Sequence, residues 1–287
     1  MHLRPMRAAV FGVLSFCLIP VACTQASPSG SPTPSSTAQR REISIPAKAD
    51  EAAAVPTPEP PRSPGQAIRL TRATLSGITF EGVAFDSRNH RLAVADQPAG
   101  PGSLYPDAKA AAASRQGLAA FNAGFFTPEG GLLGKIVSAG LPAGSWNRSS
   151  LGSGLFREDS SGRMALSRRG GESASGQREL LQSGPLLVEN GVTVSGLDAA
   201  KPAVRMLIAW DGGNRWWIGR SSACTLAALG TTLGHGSPTS WPVRMGLNLD
   251  GGRSTDLWIS GSVPGGPANF RPPWNRQVRN FLVLTTR

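Results

Sequence analysis

Glycine and proline fill about one position in five, with 35 Gly and 24 Pro among 287 residues. An average chain carries about 12% of the two together. A glycine inside a helix costs about 1 kcal/mol relative to alanine, and a proline about 3. Such a chain cannot be a helical bundle or a coiled coil. It favours short strands joined by many turns. Hydrophobic residues make up 40%, enough for a core, and charged residues only 16%.

The patterning predicts a strand-rich α+β fold, mostly antiparallel or mixed, with two or three helices. Alternation and apolar runs place strands at 78–86, 91–96 and 118–121, with 87–90 as a turn that leaves His90 in solvent. Three hairpins are expected. Asp159-Ser160-Ser161-Gly162 joins 154–158 to 164–167, and Glu189-Asn190-Gly191 joins 185–188 to 192–194. Asp211-Gly212-Gly213-Asn214 joins 205–210 to 215–219. Asn-Gly suits the positive φ angles of a tight hairpin. Strands at 243–249, 256–259 and 279–284 complete the set. Helices are expected at 106–115, started by Pro106, and at 225–233.

The amino terminus reads as an export signal. Arg4 and Arg7 precede an uncharged run from Ala8 to Ala22. That run is short for a membrane span and right for a signal-peptide core. Cys23 follows Pro20-Val21-Ala22 and resembles a lipoprotein box. The expectation is a signal peptide over 1–22 and lipid on Cys23, with plain secretion as the alternative. Residues 24–64 hold nine prolines and no Phe, Trp or Tyr. A stretch of this kind cannot offset its ordering entropy by burial and reads as a tether. The folded unit is expected over 65–287. With Cys17 removed and Cys23 lipidated, Cys224 is the remaining thiol and reads as a small buried apolar residue.

Common catalytic templates are excluded. Gly134-Lys135 lacks the Ser/Thr and the upstream glycine of a P-loop. Ser153, Ser183 and Ser254 lack the flanks of a nucleophile elbow. The folded unit has two histidines, His90 and His235, too few for a three-histidine zinc site. No metal or cofactor is expected. His235, within Gly-His-Gly, is a minor acid/base candidate. The net charge is +11, but the basic residues are scattered and do not alternate with aromatics. With export, this argues for a basic surface near an anionic envelope and against a nucleic-acid partner. Most of the seven Trp are expected in the core.

Four segments break the strand pattern with polar residues and glycine. They are Phe121-Asn122-Ala123-Gly124-Phe125-Phe126, Leu181-Gln182-Ser183-Gly184-Pro185-Leu186-Leu187-Val188, Val204-Arg205-Met206 and Leu247-Asn248-Leu249-Asp250-Gly251-Gly252-Arg253-Ser254-Thr255. In this order they resemble the phosphodiester glycosidase family, from about Ile78 to Leu284. Arg205-Met206 departs from the Arg-Asn or Arg-Thr of the family. The segment from Arg276 resembles its closing strand. The resemblance implies hydrolysis of a sugar 1-phosphodiester in a surface glycan or glycolipid. The alternative is a non-catalytic glycan-binding lipoprotein on the same fold.

The residues themselves fit such a site. Asn122 and Asp250 each end an apolar strand and are followed closely by glycine, which lets a ligand approach. Gly251-Gly252 offers consecutive N–H groups to an anion. Ser254 and Thr255 add hydroxyls, Arg253 and Arg205 add charge, and Gln182 and Ser183 line the same cleft, with Gly184 and Asn248 beside them. An ordinary tight turn at Asp250 and a capping role for Asn122 fit the same residues. Asp250 and Asn122 are the expected catalytic pair, and Asp256 and Glu129 are weaker candidates for a second acid. A phosphodiester leaves as a stabilised anion, so grip on the phosphate matters more than a second carboxylate.

Overall fold

The computed structural model describes residues 67–171 and 173–287. The export segment, Cys23 and the whole tether lie outside the described residues. Strands follow in chain order as β1 (Arg69–Leu75), β2 (Ile78–Asp86), β3 (His90–Asp96), β4 (Ala119–Asn122), β5 (Ile136–Ser138), β6 (Leu141–Ala143), β7 (Gly154–Asp159), β8 (Met164–Arg168), β9 (Gln177–Ser183), β10 (Leu186–Glu189), β11 (Val192–Thr193), β12 (Met206–Trp210), β13 (Arg215–Ser221), β14 (Met245–Leu249), β15 (Leu257–Ile259), β16 (Ala268–Phe270) and β17 (Asn280–Thr286). Helix α1 spans Ala108–Ala113 and α2 spans Leu226–His235.

The strands form three antiparallel sheets, giving an α+β fold. A seven-stranded sheet runs β1-β2-β13-β12-β14-β10-β11, and two five-stranded sheets run β16-β15-β4-β17-β3 and β6-β5-β9-β7-β8. The turns explain the hairpins. Asn190 and Gly191 both take positive φ, 52° and 82°, between β10 and β11. Asp159 accepts from the N–H groups of Ser161 and Arg163 at 3.0 Å each and closes β7 onto β8. Asp211 does the same for Gly213 and Arg215 between β12 and β13. Both helices start on side-chain caps. Asp107 accepts from Ala110 N–H at 2.8 Å, and the Thr225 hydroxyl from Ala228 N–H at 3.2 Å.

Successive strand residues face opposite ways, so Trp216 and Trp217 serve different cores. Trp216 lies in the main core between the sheets, with Phe85 and Phe156 against its ring. Trp217 lies on the other face, in a cluster with Phe80 and with Leu229 and Leu233 of α2. Each fully buried side chain of this size contributes about 1.5–3 kcal/mol. Helix α1 covers the second sheet with Ala108, Ala111 and Ala112 against Phe281 and Val283. Cys224 is buried and free.

Side chains join the second and third sheets at β3. Glu179 accepts from Val94 N–H at 2.9 Å, and the Ser138 hydroxyl donates to Val94 O at 2.6 Å. Arg91 pairs with Glu158 at 2.9 Å and Glu179 at 3.1 Å.

Some expectations are corrected. His90 opens β3, is buried, and meets the Phe85 ring edge-on. Burial lowers its pKa. Strands β1, β5, β6, β9 and β16 lie outside the predicted set, because polar residues in β1 and β9 hide the alternation and the others are three residues long. The closing strand begins at Asn280, leaving Arg276 in the loop before it. Trp146 and Trp274 are exposed. Among the described residues no helix is long and apolar enough to cross a membrane.

Candidate active site

Strands β4 and β14 end side by side, although they belong to different sheets. The Asp250 N–H donates to Ala123 O at 2.9 Å and joins the two ends. The Asn122 side chain completes the junction. Its Nδ2 donates to Asp250 O at 2.6 Å, and its Oδ1 accepts from Asp256 N–H at 2.9 Å. Asn122 is fully buried. It acts on two stretches of backbone, which makes it a positioning residue for the loop from Asp250 to Asp256.

The other segments join the same loop. Gly252 N–H donates to Val204 O at 2.8 Å. Asn248 Nδ2 donates to Gly184 O at 2.8 Å, and its N–H to Pro185 O at 3.0 Å. A Cβ on Gly251 would lie 2.5 Å from Val204 O, so glycine is needed for this close approach. Gly252 takes φ +59°. The anion nest expected at these two glycines is not formed, because Gly251 N–H donates to Asp250 Oδ1 at 2.9 Å and Gly252 N–H is committed to Val204.

Asp250 is one of two buried carboxylates of the loop, with 7% of its surface exposed. Its Oδ2 has no hydrogen-bond partner. The nearest cation is Arg276, whose Nη2 stands 3.8 Å from Oδ2, beyond direct hydrogen bonding. Burial pushes the Asp250 carboxyl up to about 6, against the pull of the Ser254 hydroxyl, Arg276 and Gly251 N–H. Arg276 is itself held in place. Its Nε donates to Ser254 Oγ at 3.0 Å, its N–H donates to Arg253 O at 2.9 Å, and its guanidinium lies 4.5 Å over the Phe126 ring. A carboxylate able to exchange a proton near neutrality thus faces a guanidinium free on one edge.

The phosphodiester glycosidase family model matches residues 116–285, which include all four polar segments. This chain is a member of the phosphodiester glycosidase family. The match begins later than the resemblance read from about Ile78. Two solved structures share the fold. One is the catalytic domain of zebrafish N-acetylglucosamine-1-phosphodiester alpha-N-acetylglucosaminidase, auto-inhibited by its pro-peptide, with 17% identity, a TM-score of 0.54, and coverage of 77% of this chain and 82% of that one. The other is a hypothetical protein from Synechocystis, with 16% identity, a TM-score of 0.52, and coverage of 77% of this chain and 61% of that one. No curated protein sequence gives a significant match.

Other candidates take different places in this member of the family. Gln182 is buried with every hydrogen-bonding position in use. Its Oε1 accepts from Lys135 N–H at 3.0 Å and Asn147 N–H at 2.9 Å, while Nε2 donates to Asn147 O at 2.7 Å and Gly152 O at 2.8 Å. It organises the loop from Leu133 to Gly152 and has nothing left for a substrate. Ser183 is fully buried, and its hydroxyl has no partner. Gly184 precedes a cis Pro185, and a Cβ there would lie 2.2 Å from Ser150 O.

Arg205 turns from Asp250. Its Nε donates to Cys224 O at 3.2 Å and its Nη2 to Lys201 O at 2.5 Å. Thr255 is buried, and its carbonyl accepts from Asn275 Nδ2 at 2.7 Å. Arg253 is exposed on the loop, with Nε 3.4 Å from Trp274 O. The Asp256 carboxylate anchors α1 and a loop, accepting from Ala108 N–H at 3.2 Å and pairing with Arg271. Burial raises it to about 6. Glu129 is exposed, and hydrogen bonds to its own N–H and the Thr127 hydroxyl lower its pKa, which suits no proton donor at neutral pH.

His235 lies elsewhere, at the end of α2, with Nδ1 2.8 Å from Thr231 O. It lines a groove of about 300 Å³ with Trp241 and Gly191, in which no carboxylate takes part. Asp250, by contrast, is a buried carboxylate with a cation facing it. Among the described residues, no group of three or more His, Cys, Asp or Glu could hold a metal. Arg276 is the residue that sequence reasoning missed. Its mark is weak, one of three arginines (Arg271, Arg276, Arg279) around a Pro-Pro-Trp-Asn run.

Proposed function

We propose that this chain is an exported hydrolase that cleaves a sugar 1-phosphodiester in a glycan or glycolipid of the cell surface. The observation that carries the reading is the buried Asp250 carboxylate, with one oxygen unpartnered, facing the Arg276 guanidinium at 3.8 Å. Arg276 and Arg253 take phosphate oxygens. Asp250 accepts a proton from water as the water oxygen bonds to the anomeric carbon. The bond between the anomeric carbon and the oxygen that links it to phosphorus breaks, its electron pair stays on that oxygen, and a phosphate monoester departs. That leaving group is an anion stabilised by the guanidinium groups, so no second buried acid is required. Asp256, committed to Arg271 and Ala108, plays no part in the proton transfer.

The test is release of reducing sugar from a panel of hexose and N-acetylhexosamine 1-phosphodiesters. Asp250→Asn keeps the shape and removes the charge, and activity is expected to fall by roughly 10²-fold or more. Full activity in this variant refutes the assignment. Sugar binding by the unmodified chain without turnover supports the glycan-binding reading instead. Export and a lipid on Cys23 belong to the proposal and rest on the amino-terminal sequence. Cys23→Ala is expected to move the protein from the membrane to the soluble fraction.

A further inference from the structure

The groove beside His235 lies where the end of α2, the turn at Gly191 and the segment from Gly236 to Val243 meet. Strand β14 runs between it and Asp250. Val243 and Asp250 are seven steps apart in the chain, about 20 Å of extended backbone. The groove is held in shape by its own backbone. Gly191 N–H donates to Arg244 O at 2.9 Å, Gly236 N–H to Thr232 O at 2.9 Å, and Thr239 N–H to the Ser237 hydroxyl at 3.2 Å. Its floor is apolar, with Leu233, Trp241 and Val243 all buried. Its rim is polar. His235 is exposed, and its Nδ1 lies 2.8 Å from Thr231 O, which can only accept. Nδ1 therefore carries the proton, and Nε2 of the neutral ring is an acceptor. The Ser237 and Thr239 hydroxyls are 2.7 Å apart, so one O–H is spent between them and the other is left to donate. Among the described residues, no Asp, Glu, Lys or Arg lines the groove. Gly236 has an extended backbone, φ −154°, and a Cβ there would come no closer than 3.5 Å to any neighbour. Neither conformation nor packing demands glycine at this position, and its bare backbone lets a ligand approach.

We infer that this groove binds one uncharged hexose ring, at a site separate from Asp250. Its volume of about 300 Å³ is the lower end of the range for small-molecule sites. An apolar floor suits the C–H face of the ring, and an acceptor and a donor at the rim suit its hydroxyls. A sugar phosphate or sugar acid would lose its hydration with no cation to offset the cost. The inference goes beyond the hydrolase reading, because the groove takes an uncharged ring whereas Asp250 and Arg276 are assigned to a phosphodiester. When the ring belongs to the same glycan, the groove holds the polymer near Asp250 and raises the effective concentration of its phosphodiesters there.

Calorimetry on the full-length protein tests the site. The probes are glucose, galactose, mannose and N-acetylglucosamine, each as the free sugar and as a linear tetrasaccharide. The proteins are the wild type, His235→Ala, Gly236→Leu and Asp250→Asn. The wild type and Asp250→Asn are expected to bind the same sugar with Kd values within about twofold. His235→Ala removes one hydrogen bond and is expected to weaken binding about five- to tenfold, and Gly236→Leu at least as much. Both groove variants are expected to melt within a few degrees of the wild type and to release sugar from methyl 1-phosphodiesters at the wild-type rate. Where Gly236→Leu does not fold, His235→Ala decides. Tighter binding of a tetrasaccharide identifies the occupant as a residue within a chain, and equal binding identifies a single ring; both support the site. No binding by the wild type, no loss in His235→Ala, or a loss in Asp250→Asn overturns it. Sugar binding at the groove without release from any phosphodiester supports the groove and overturns hydrolysis.

Discussion

The Asn122 amide donates to the carbonyl oxygen of Asp250 at 2.6 Å, across a sequence distance of 128 residues. The same amide accepts from Asp256 N–H. One buried side chain therefore fixes both ends of the turn that carries the carboxylate. Its partners are backbone groups that water does not reach.

Asn122→Ala leaves that carbonyl and that N–H without partners. Each such loss costs about 1–3 kcal/mol. The variant is expected to unfold about 2–4 kcal/mol more easily in urea and to lose most of its activity. A change under about 0.5 kcal/mol would show that the turn holds itself.

Asp250 sets a stability cost near neutral pH. Its folded pKa, about 6, lies above the unfolded value near 3.9. The folded state therefore binds the proton more tightly. Its contribution to stability is fully present below about pH 4 and is lost as pH rises through 6. Asp250→Asn is expected to be more stable than the wild type by about 1–3 kcal/mol at pH 7.5, with the gap closing at pH 4. Denaturant melts at both pH values check this, and an equal gap at both would contradict it.

The rate runs the opposite way. If the ionised form of Asp250 acts, kcat/KM rises with pH through about 6 and then levels. Arg276→Gln removes the facing cation, so the midpoint is expected to move up as well as the rate falling. A profile that falls above pH 6 would assign Asp250 as a proton donor.

Gln182 separates scaffold from substrate contact. Gln182→Ala breaks four hydrogen bonds inside the loop from Leu133 to Gly152. Stability is expected to drop by about 2–4 kcal/mol. Where the variant remains folded, its substrate Kd is expected to stay within about threefold. A large loss of affinity with unchanged stability would return Gln182 to the binding face.

Much of this was legible in the residues because hairpins announce themselves locally. Asn190-Gly191 and Asp159 act over a few positions, and their strands fall where the turns demand. The pairing of Asn122 with Asp250 was visible as two polar strand ends near glycine, but its form was not. Which atoms an amide bonds depends on two sheets meeting, and no spacing encodes that. For the same reason Gln182 and Arg205 looked available in sequence and are committed in space. Arg276 was hidden because an arginine in a loop carries no period, and nothing local sets it apart from Arg271 and Arg279. β9 was hidden because Glu179 and Gln182, buried on opposite faces, break the apolar pattern of both.

The third sheet reaches β3 through side chains, and this bears on how molecules of this protein meet one another. β3 is an edge strand, paired only with β17. A free edge is a template for another chain, and proteins with bare edges stack strand on strand. At Val94 both backbone groups are already taken, the N–H by the Glu179 carboxylate and the carbonyl by the Ser138 hydroxyl. An incoming strand would have to displace a buried carboxylate that also pairs with Arg91. The side chains that join two sheets within one molecule thereby keep this edge from nucleating fibrous growth between molecules.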